Sequence, residues 1–299
     1  MPDQRRQRWT QPVGAAMDPD VSFSPPRKAD TRDAPDYDRR TAYKIESEKS
    51  RKLRVVILRI AALSSALLYL VVMTFNIDIA LHYRALLKVT PIYFMLKLTL
   101  VLGDSNSFAF RIATGLACCA VGDACLALES DETGLNAQTR ATLFLAGLAA
   151  FLVGHVCYCA AFLANSIKLS VLSVPAVAFM VTVFVVLKPA LDERKMLLPV
   201  GAYCLTIITM LILAVSRLPH GHASVWSWRC SAVGATLFAI SDTCLALNRF
   251  HGAIPRAPSI VMVTYYAAQY ALTLSSRGAL PRPLTSALGS VENLAAKSK

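Results

Sequence analysis

Two aspartates stand in the middle of apolar stretches, in closely matched surroundings. Residues 121–128 read VGDACLAL and residues 240–247 read ISDTCLAL, so Asp123 matches Asp242, and a cysteine follows each acid by two positions. A carboxylate away from water is unfavourable by several kcal/mol unless it is paired or neutralised. Each acid could simply bond to a neighbouring helix, but two acids in matched sequence favour a chemical role.

The spacing places both acids at one depth in a membrane. Asp123 and Asp242 follow the basic residues Arg111 and Arg229 by 12 and 13 positions, which is about 18 to 20 Å along a helix at about 1.5 Å per residue. If the two helices are neighbours, repulsion and desolvation are expected to keep one carboxyl protonated. A protonated acid beside a carboxylate is the arrangement used for acid-catalysed bond cleavage at neutral pH.

A polar stripe runs along the last apolar stretch. Tyr266, Gln269, Thr273 and Ser276 share one helical face by their spacing, and Tyr265 lies beside them. In lipid such a face turns towards other helices, where it either lines a cavity or forms interhelical hydrogen bonds. We predict that Tyr265, Tyr266 and Gln269 contact a substrate. The other two fit interhelical hydrogen bonding better.

Three more side chains are candidate binding residues. His155 is an intramembrane imidazole that could orient an acid or shuttle a proton, or could be structural. Lys88 begins the second apolar run and could meet a lipid phosphate or only extend to the interface. Arg249 follows Asp242 by seven positions on the same helical face. We predict that it contacts the headgroup, although arginines at a membrane surface are common.

The composition is that of a membrane protein. Of 299 residues, 55% are hydrophobic and 17% are charged, below the roughly 25% charged residues of soluble domains. The net charge is +12, but the basic residues crowd before residue 55 and form no basic face with interleaved aromatic residues, so we expect no nucleic-acid partner. A basic segment before a first membrane span predicts a cytoplasmic N-terminus and attraction to anionic lipid.

Eight apolar runs have the length that spans a bilayer as a helix. They lie at about 54–75, 86–102, 108–128, 141–164, 170–187, 196–215, 229–248 and 259–276. We therefore predict an all-α, polytopic membrane bundle of eight transmembrane helices over residues 53–277, between a disordered basic tail at 1–52 and a C-terminal tail at 278–299. The matched motifs, 119 positions apart, favour a four-plus-four internal repeat.

The remaining motifs narrow the chemistry. All eight cysteines lie inside apolar segments, which is typical of free thiols acting as small hydrophobic side chains. No G-x-S-x-G elbow, HExxH helix, Walker loop or dinucleotide fingerprint occurs in the apolar part. Serine-hydrolase, zincin and nucleotide-dependent mechanisms are therefore disfavoured.

Five segments in order resemble one family. ALLKVTPIYF, VGDACLAL, FLVGHVCYCAAF, ISDTCLALNRF and MVTYYAAQY together are similar to the lysoplasmalogenases, the YhhN-like integral membrane proteins, and in particular to their animal members. The similarity extends from about Ala85 to Ser276. The basic tail before residue 53 is long for the family and is not explained by it.

The resemblance implies an eight-helix ether hydrolase that cleaves the vinyl ether of lysoplasmalogen to a fatty aldehyde and glycerophosphoethanolamine or glycerophosphocholine. It implies no metal and no cofactor, and its partners are a lysophospholipid substrate and membrane lipid. The family's two acids fall on Asp123 and Asp242. Its other site residues fall on positions already singled out above, namely Lys88, His155, Tyr265, Tyr266 and Gln269. We expect an integral multi-pass protein of the endoplasmic reticulum.

Two alternatives stay open. A proton-coupled membrane transporter would also need buried acids at matched depth and a repeat, but it predicts paired helix interruptions at mid-membrane. Only Pro175 lies inside an apolar run away from its ends, and it has no counterpart in the other half. A non-catalytic lipid-binding bundle predicts that binding survives replacement of either aspartate and that no product forms.

Overall fold

The structure is a computed structural model that describes residues 36–104, 106–129, 134–164, 167–217 and 224–277. The predicted tails before residue 36 and after residue 277 lie outside these residues.

The described chain folds into eight α-helices, which confirms the predicted all-α class. They are α1 (Asp36–Thr74), α2 (Leu81–Leu102), α3 (Ser107–Leu128), α4 (Ala137–Phe162), α5 (Ser173–Glu193), α6 (Leu197–Ser216), α7 (Ser224–Ala246) and α8 (Ala257–Ser275). A single π-helical turn, Leu247–His251, continues α7 and is called the π-turn below. Each predicted apolar run coincides with one helix.

Seven of these helices, α1 to α7, are long and apolar enough to cross a membrane, so the protein is an integral multi-pass membrane protein. Helix α8 is not among the seven, because its polar stripe lowers its mean hydropathy. Its stripe nevertheless turns inward, since Tyr266, Gln269 and Thr273 are all buried.

The first helix begins earlier than the sequence predicts. Residues 36–48, the described part of a separate unit, are already helical, where we predicted a disordered tail up to residue 52. Residues 43–52 are largely helix-forming, and Lys44 and Glu48 stand four positions apart, the spacing at which opposite charges support an isolated helix. The side chains of residues 43–48 are exposed.

Local capping fixes where α3, which carries the first acid, and α4 begin. The side chain of Asn106 accepts a hydrogen bond from the backbone N–H of Ala109 at 2.8 Å, at the start of α3. Asn136 accepts one from Thr139 at 2.8 Å, at the start of α4. Each asparagine thereby satisfies a backbone donor that the first turn of the helix leaves free.

Several helix contacts repeat between the two predicted halves, α1 to α4 and α5 to α8. Helix α3 packs on α4 as α7 packs on α8, and α2 packs on α3 as α6 packs on α7. Across the two halves, α2 packs on α8 and its counterpart α6 packs on α4. This arrangement brings α3 and α7, the helices of the two acids, to corresponding places around one core of buried side chains.

Helices α3 and α4 approach closely where a glycine removes the side chain. A Cβ atom on Gly154 would lie 2.9 Å from the Sγ of Cys119 and 3.0 Å from the backbone oxygen of Gly115. Small residues let membrane helices pack backbone against backbone. Since the atoms facing Gly154 belong partly to backbone, they cannot move aside without shifting α3.

We predict that Gly154→Ala lowers the free energy of unfolding by about 1 to 3 kcal/mol, because the added methyl overpacks this contact. Gly201→Ala is the matched control, since its Cβ would lie 3.6 Å from the ring of Phe184, an ordinary contact distance. Thermal unfolding of both variants in detergent is the measurement. Equal stability of Gly154→Ala and the wild type would contradict the tight contact.

Candidate active site

An apolar cavity of ≈ 310 Å³ lies inside the bundle, and each of the eight helices contributes to its wall. Both predicted acids, Asp123 and Asp242, line it. Most of the other lining side chains are Leu, Val, Ile, Met or Phe. Its volume is in the range of small-molecule and lipid-chain pockets. The matched motifs therefore bring two carboxyl groups to one apolar space.

Asp123 is held by a cation and a hydroxyl. Its Oδ1 lies 3.2 Å from Nζ of Lys88 on α2, and its Oδ2 accepts a hydrogen bond from the hydroxyl of Tyr265 on α8 at 2.7 Å. The carboxylate is only 3% exposed and the lysine 12%. A buried carboxylate needs such partners, because its charge has lost its water shell.

The position of the lysine is itself fixed by α8. The hydroxyl of Tyr266 donates a hydrogen bond to the backbone oxygen of Lys88 at 2.8 Å. The adjacent tyrosines of α8 therefore act on one ion pair, Tyr265 at the acid and Tyr266 at the backbone of the base. Lys88 points into the bundle, where it pairs with Asp123. Its predicted contact with a lipid phosphate stays a prediction.

Asp242 has different partners. Its Oδ2 accepts a hydrogen bond from the hydroxyl of Tyr203 on α6 at 2.7 Å. The Nε2 atom of His155 on α4 lies 3.9 Å from the same oxygen, which is beyond a direct hydrogen bond and within the span that a bridging water covers. His155 is fully buried, and neither of its ring nitrogens has a hydrogen-bond partner among the described residues.

The two acids are therefore alike in position and unlike in charge environment. Asp123 is contacted by α2 of its own half and by α8 of the other half. Asp242 is contacted by α6 of its own half and approached by α4 of the other half. Asp123 is neutralised by Lys88. Within the described ranges, no Lys or Arg side chain pairs with Asp242. This asymmetry favours an ionised Asp123 and a neutral Asp242.

The mouth of the cavity carries an ion pair. Nη2 of Arg249 lies 2.8 Å from Oε1 of Glu129, and Nη1 lies 3.4 Å from Oε2. The guanidinium also lies 3.7 Å from the ring centroid of Phe144. Arg249 thus lines the cavity, and Glu129 holds it there. Its contact with a headgroup stays a prediction.

The predicted binding residues divide into two groups. Lys88, Arg249 and Tyr265 line the cavity, whereas His155, Tyr266 and Gln269 lie behind its wall. Gln269 is fully buried, and its Oε1 accepts a hydrogen bond from the hydroxyl of Tyr158 at 2.7 Å. It therefore joins α8 to α4 by a hydrogen bond behind the cavity wall.

Two residues of the stripe do not behave as the sequence suggests. Thr273 and Ser276 are fully buried, but among the described residues neither hydroxyl oxygen has a hydrogen-bond partner. The interhelical hydrogen bonds that we considered for them are therefore absent from this part of the chain.

Sequence reasoning missed Tyr203, the hydrogen-bond donor to Asp242. It stands alone in LLPVGAYCLTIITM without a match in the other half. The available signal was chemical, because a tyrosine hydroxyl inside an apolar run needs a partner when it is buried. Within the described ranges, no three His, Cys, Asp or Glu side chains group closely enough to hold a metal ion, and the expected absence of a cofactor stays a prediction.

Comparison with known proteins identifies the relatives of this sequence. The model of the YhhN family matches residues 83–276. The lysoplasmalogenase TMEM86B of Homo sapiens is 32% identical over 201 residues, which cover 67% of this chain and 78% of that protein. TMEM86B of Rattus norvegicus is 34% identical over 192 residues, 64% of this chain and 72% of that protein.

A second group of relatives is equally similar. The lysoplasmalogenase TMEM86A of Bos taurus is 31% identical over 203 residues, which cover 64% of this chain and 77% of that protein. No solved structure matches the chain significantly.

We predict that Lys88→Met lowers the free energy of unfolding by about 3 to 5 kcal/mol, because it leaves the buried carboxylate of Asp123 without its cation. Adding Asp123→Asn should restore part of the loss, since the unpaired charge is then gone. The control is Lys188→Met, which breaks an exposed pair with Asp192 at 3.5 Å and should cost about 0 to 1 kcal/mol. Strictly additive effects of the two substitutions in a double-mutant cycle would contradict the coupling.

Proposed function

Because the chain belongs to the YhhN family, we propose that it is a lysoplasmalogenase, the activity by which its relatives are named. It hydrolyses the vinyl ether of 1-alkenyl-glycerophosphoethanolamine or 1-alkenyl-glycerophosphocholine to a fatty aldehyde and glycerophosphoethanolamine or glycerophosphocholine. The observation that carries the proposal is the pair Asp123 and Asp242, which line one apolar cavity with unlike partners.

The reaction begins with a proton transfer to carbon. A vinyl ether is cleaved by protonating its outer alkene carbon, which leaves an oxocarbenium ion at the carbon bonded to oxygen. Water adds to that carbon, gives up a proton and forms a hemiacetal. The hemiacetal hydroxyl then loses its proton and forms the carbonyl while the bond to the glycerol oxygen breaks. The glycerol oxygen takes up a proton, and the aldehyde is released. The sum is the addition of one water, without oxidation or reduction.

We assign the proton donor to Asp242. No cation pairs with it among the described residues, so a neutral carboxyl is its favoured form in this apolar space. The hydroxyl of Tyr203 donates to Oδ2, which leaves Oδ1 to carry the acidic proton. After the transfer, the resulting carboxylate can take the proton that the attacking water releases, and the acid is regenerated.

We assign electrostatic stabilisation to Asp123. Lys88 and Tyr265 keep its carboxylate ionised and fixed in orientation, so its negative charge is in place before the oxocarbenium ion forms. Charges that need no reorganisation stabilise a transition state most in a site without bulk water. His155 lies behind the cavity wall, 3.9 Å from Asp242, and would orient that acid rather than contact the substrate.

The apolar wall explains how a single-chain lipid would be placed. Met180, Val183 and Leu187 on α5 line the cavity beside the acids, and they supply an apolar surface for the alkenyl chain. A vinyl ether lies where the chain joins the glycerol, so a chain in the cavity presents that bond to the acids. We also propose that the protein resides in the endoplasmic reticulum and that its N-terminus is cytoplasmic. The basic residues that crowd before residue 55 favour this orientation.

The test is direct detection of the product. Purified protein in detergent is given lysoplasmenylethanolamine, and fatty aldehyde is measured by mass spectrometry. The control is the saturated-ether analogue, which has no alkene to protonate and should give none. A transporter or a non-catalytic lipid-binding bundle would bind the lipid and release no aldehyde, and equal cleavage of both ethers would rule out the protonation mechanism.

We predict that Asp123→Asn and Asp242→Asn each lower kcat by at least about a hundredfold, equivalent to about 2.7 kcal/mol of barrier. Asparagine keeps the shape of the side chain but neither donates a carboxylic proton nor carries a charge. The double variant should be scarcely less active than either single one, because members of one catalytic unit are not additive.

Asp104→Asn is the matched control, because Asp104 is an exposed acid paired with Arg51 at 3.4 Å. Activity on lysoplasmenylethanolamine is measured beside a thermal-unfolding curve for every variant. If the folded Asp123 and Asp242 variants keep more than about a tenth of wild-type kcat, a barrier change below about 1.4 kcal/mol, these acids are structural.

A further inference from the structure

The ion pair at the mouth of the cavity, Glu129 with Arg249, is not used by the chemistry proposed above. It joins the end of α3 to the π-turn and closes through two contacts, at 2.8 and 3.4 Å. Both residues line the same cavity as the two aspartates. The side chains are 21% and 35% exposed, whereas Asp123 is 3% exposed. The pair therefore lies at the more solvent-exposed end of the site.

The depth of the pair matches the polar part of a lysophospholipid. Glu129 follows Asp123 by six residues and Arg249 follows Asp242 by seven, a distance of roughly 10 Å at about 1.5 Å per residue. When the vinyl ether lies beside the aspartates, the glycerol extends towards this end. The phosphate and the group attached to it then arrive at Glu129 and Arg249.

Arg249 has donors to spare for a phosphate. A guanidinium has five N–H groups, and Glu129 occupies only one edge of this one. Phe144 covers a face of the guanidinium and not its remaining N–H groups. Arg194 donates to the backbone oxygen of Arg249 at 3.1 Å, which anchors the π-turn from outside the cavity.

Asn248 adds a second donor beside Arg249. It lines the cavity, and its Oδ1 accepts a hydrogen bond from the backbone N–H of Ile254 at 2.9 Å. That bond fixes which side of the amide is oxygen, so the NH₂ group is left to donate elsewhere. Asn248 and Arg249 both belong to the π-turn, a kind of helix irregularity that is frequent at functional sites.

Glu129 gives the mouth a group of the opposite sign. Its carboxylate accepts hydrogen bonds and can take more than the two that Arg249 supplies. A primary ammonium offers three N–H donors to such a group, whereas a trimethylammonium offers none and a bare phosphate monoester brings no positive charge at all. The pair thus presents one positive and one negative partner side by side.

From these observations we propose that Glu129 and Arg249 form a headgroup subsite for phosphoethanolamine, in which Arg249 with Asn248 binds the phosphate and Glu129 binds the ammonium. The inference rests on the proposed lysoplasmalogenase function for the identity of the lipid. In the free protein the two side chains neutralise each other. A bound zwitterion places its phosphate beside Arg249 and its ammonium beside Glu129, so that each charge gains a second partner. Glu129 is the residue that determines headgroup preference.

The experiment measures binding without catalysis. Saturated-ether analogues that carry phosphoethanolamine, phosphocholine or an unsubstituted phosphate are titrated into purified wild-type protein in detergent. We expect the phosphoethanolamine lipid to bind about tenfold more tightly than the phosphate lipid, with the phosphocholine lipid between them. Equal affinity of the wild type for all three overturns the proposal, whatever any variant does.

Variants then assign the preference to its residues. Glu129→Gln should remove most of the tenfold ratio by weakening phosphoethanolamine binding, whereas Arg249→Gln should weaken all three lipids because each carries a phosphate. Asp192→Asn, which removes an exposed carboxylate paired with Lys188, is the control and should keep the ratio. A folded Glu129→Gln variant that keeps the wild-type ratio overturns the proposal.

Aldehyde release in the same preparations separates the two hypotheses. If the wild type prefers phosphoethanolamine but releases no aldehyde from the vinyl ether lipid, the proposed function fails and the headgroup subsite stands. If it releases aldehyde equally well from all three vinyl ether lipids and binds their analogues equally, the function stands and the subsite fails.

Discussion

A carboxyl group in an apolar interior must either have a partner for its charge or stay protonated. The site contains two such groups and depends on how each of them meets this constraint. Asp123 is paired, with Lys88 at 3.2 Å and the hydroxyl of Tyr265 at 2.7 Å. Among the described residues, Asp242 receives a hydrogen bond from one neutral hydroxyl, that of Tyr203 at 2.7 Å. The apolar wall of the cavity makes an unpaired charge unfavourable. The different partners therefore give the two acids unlike charge environments within one cavity, on which the proposed mechanism relies.

Each acid has a neighbouring side chain from the other half of the bundle. Helix α8 completes the surroundings of Asp123, and α4 brings His155 towards Asp242. The contacts that shape the site are therefore also the contacts that hold the two halves together. A substitution at Tyr265 or Lys88 consequently acts on packing and on charge at once, and activity must be measured beside stability to separate the two effects.

Much of this arrangement follows from the sequence, because the membrane restricts what an apolar run can become. Runs of spanning length had to be helices, and the match of Asp123 with Asp242 predicted that the two acids belong to one site, as their shared cavity now indicates. Partners are harder to predict, because they depend on how each helix is rotated about its axis. The position of Lys88 at the start of a run is equally consistent with an interfacial lysine. Tyr203 has no matching residue in the other half that would have marked it as a candidate. The early start of α1 was missed because charged helix-forming residues resemble those of a disordered segment.

The contacts between the two halves have a consequence for symmetry. If all eight helices cross the membrane as predicted, α3 and α7 run in the same direction, and the predicted repeat relates the halves by an axis along the membrane normal, as in a side-by-side pair of identical chains. Such a pair would surround both acids with the same side chains, so only the repulsion between the acids could make their protonation states differ. Joining the halves in one polypeptide lifts that restriction, and it lets a lysine stand beside one acid while an imidazole approaches the other. The unlike roles that we propose for the two acids can therefore be encoded in the side chains of the fused chain.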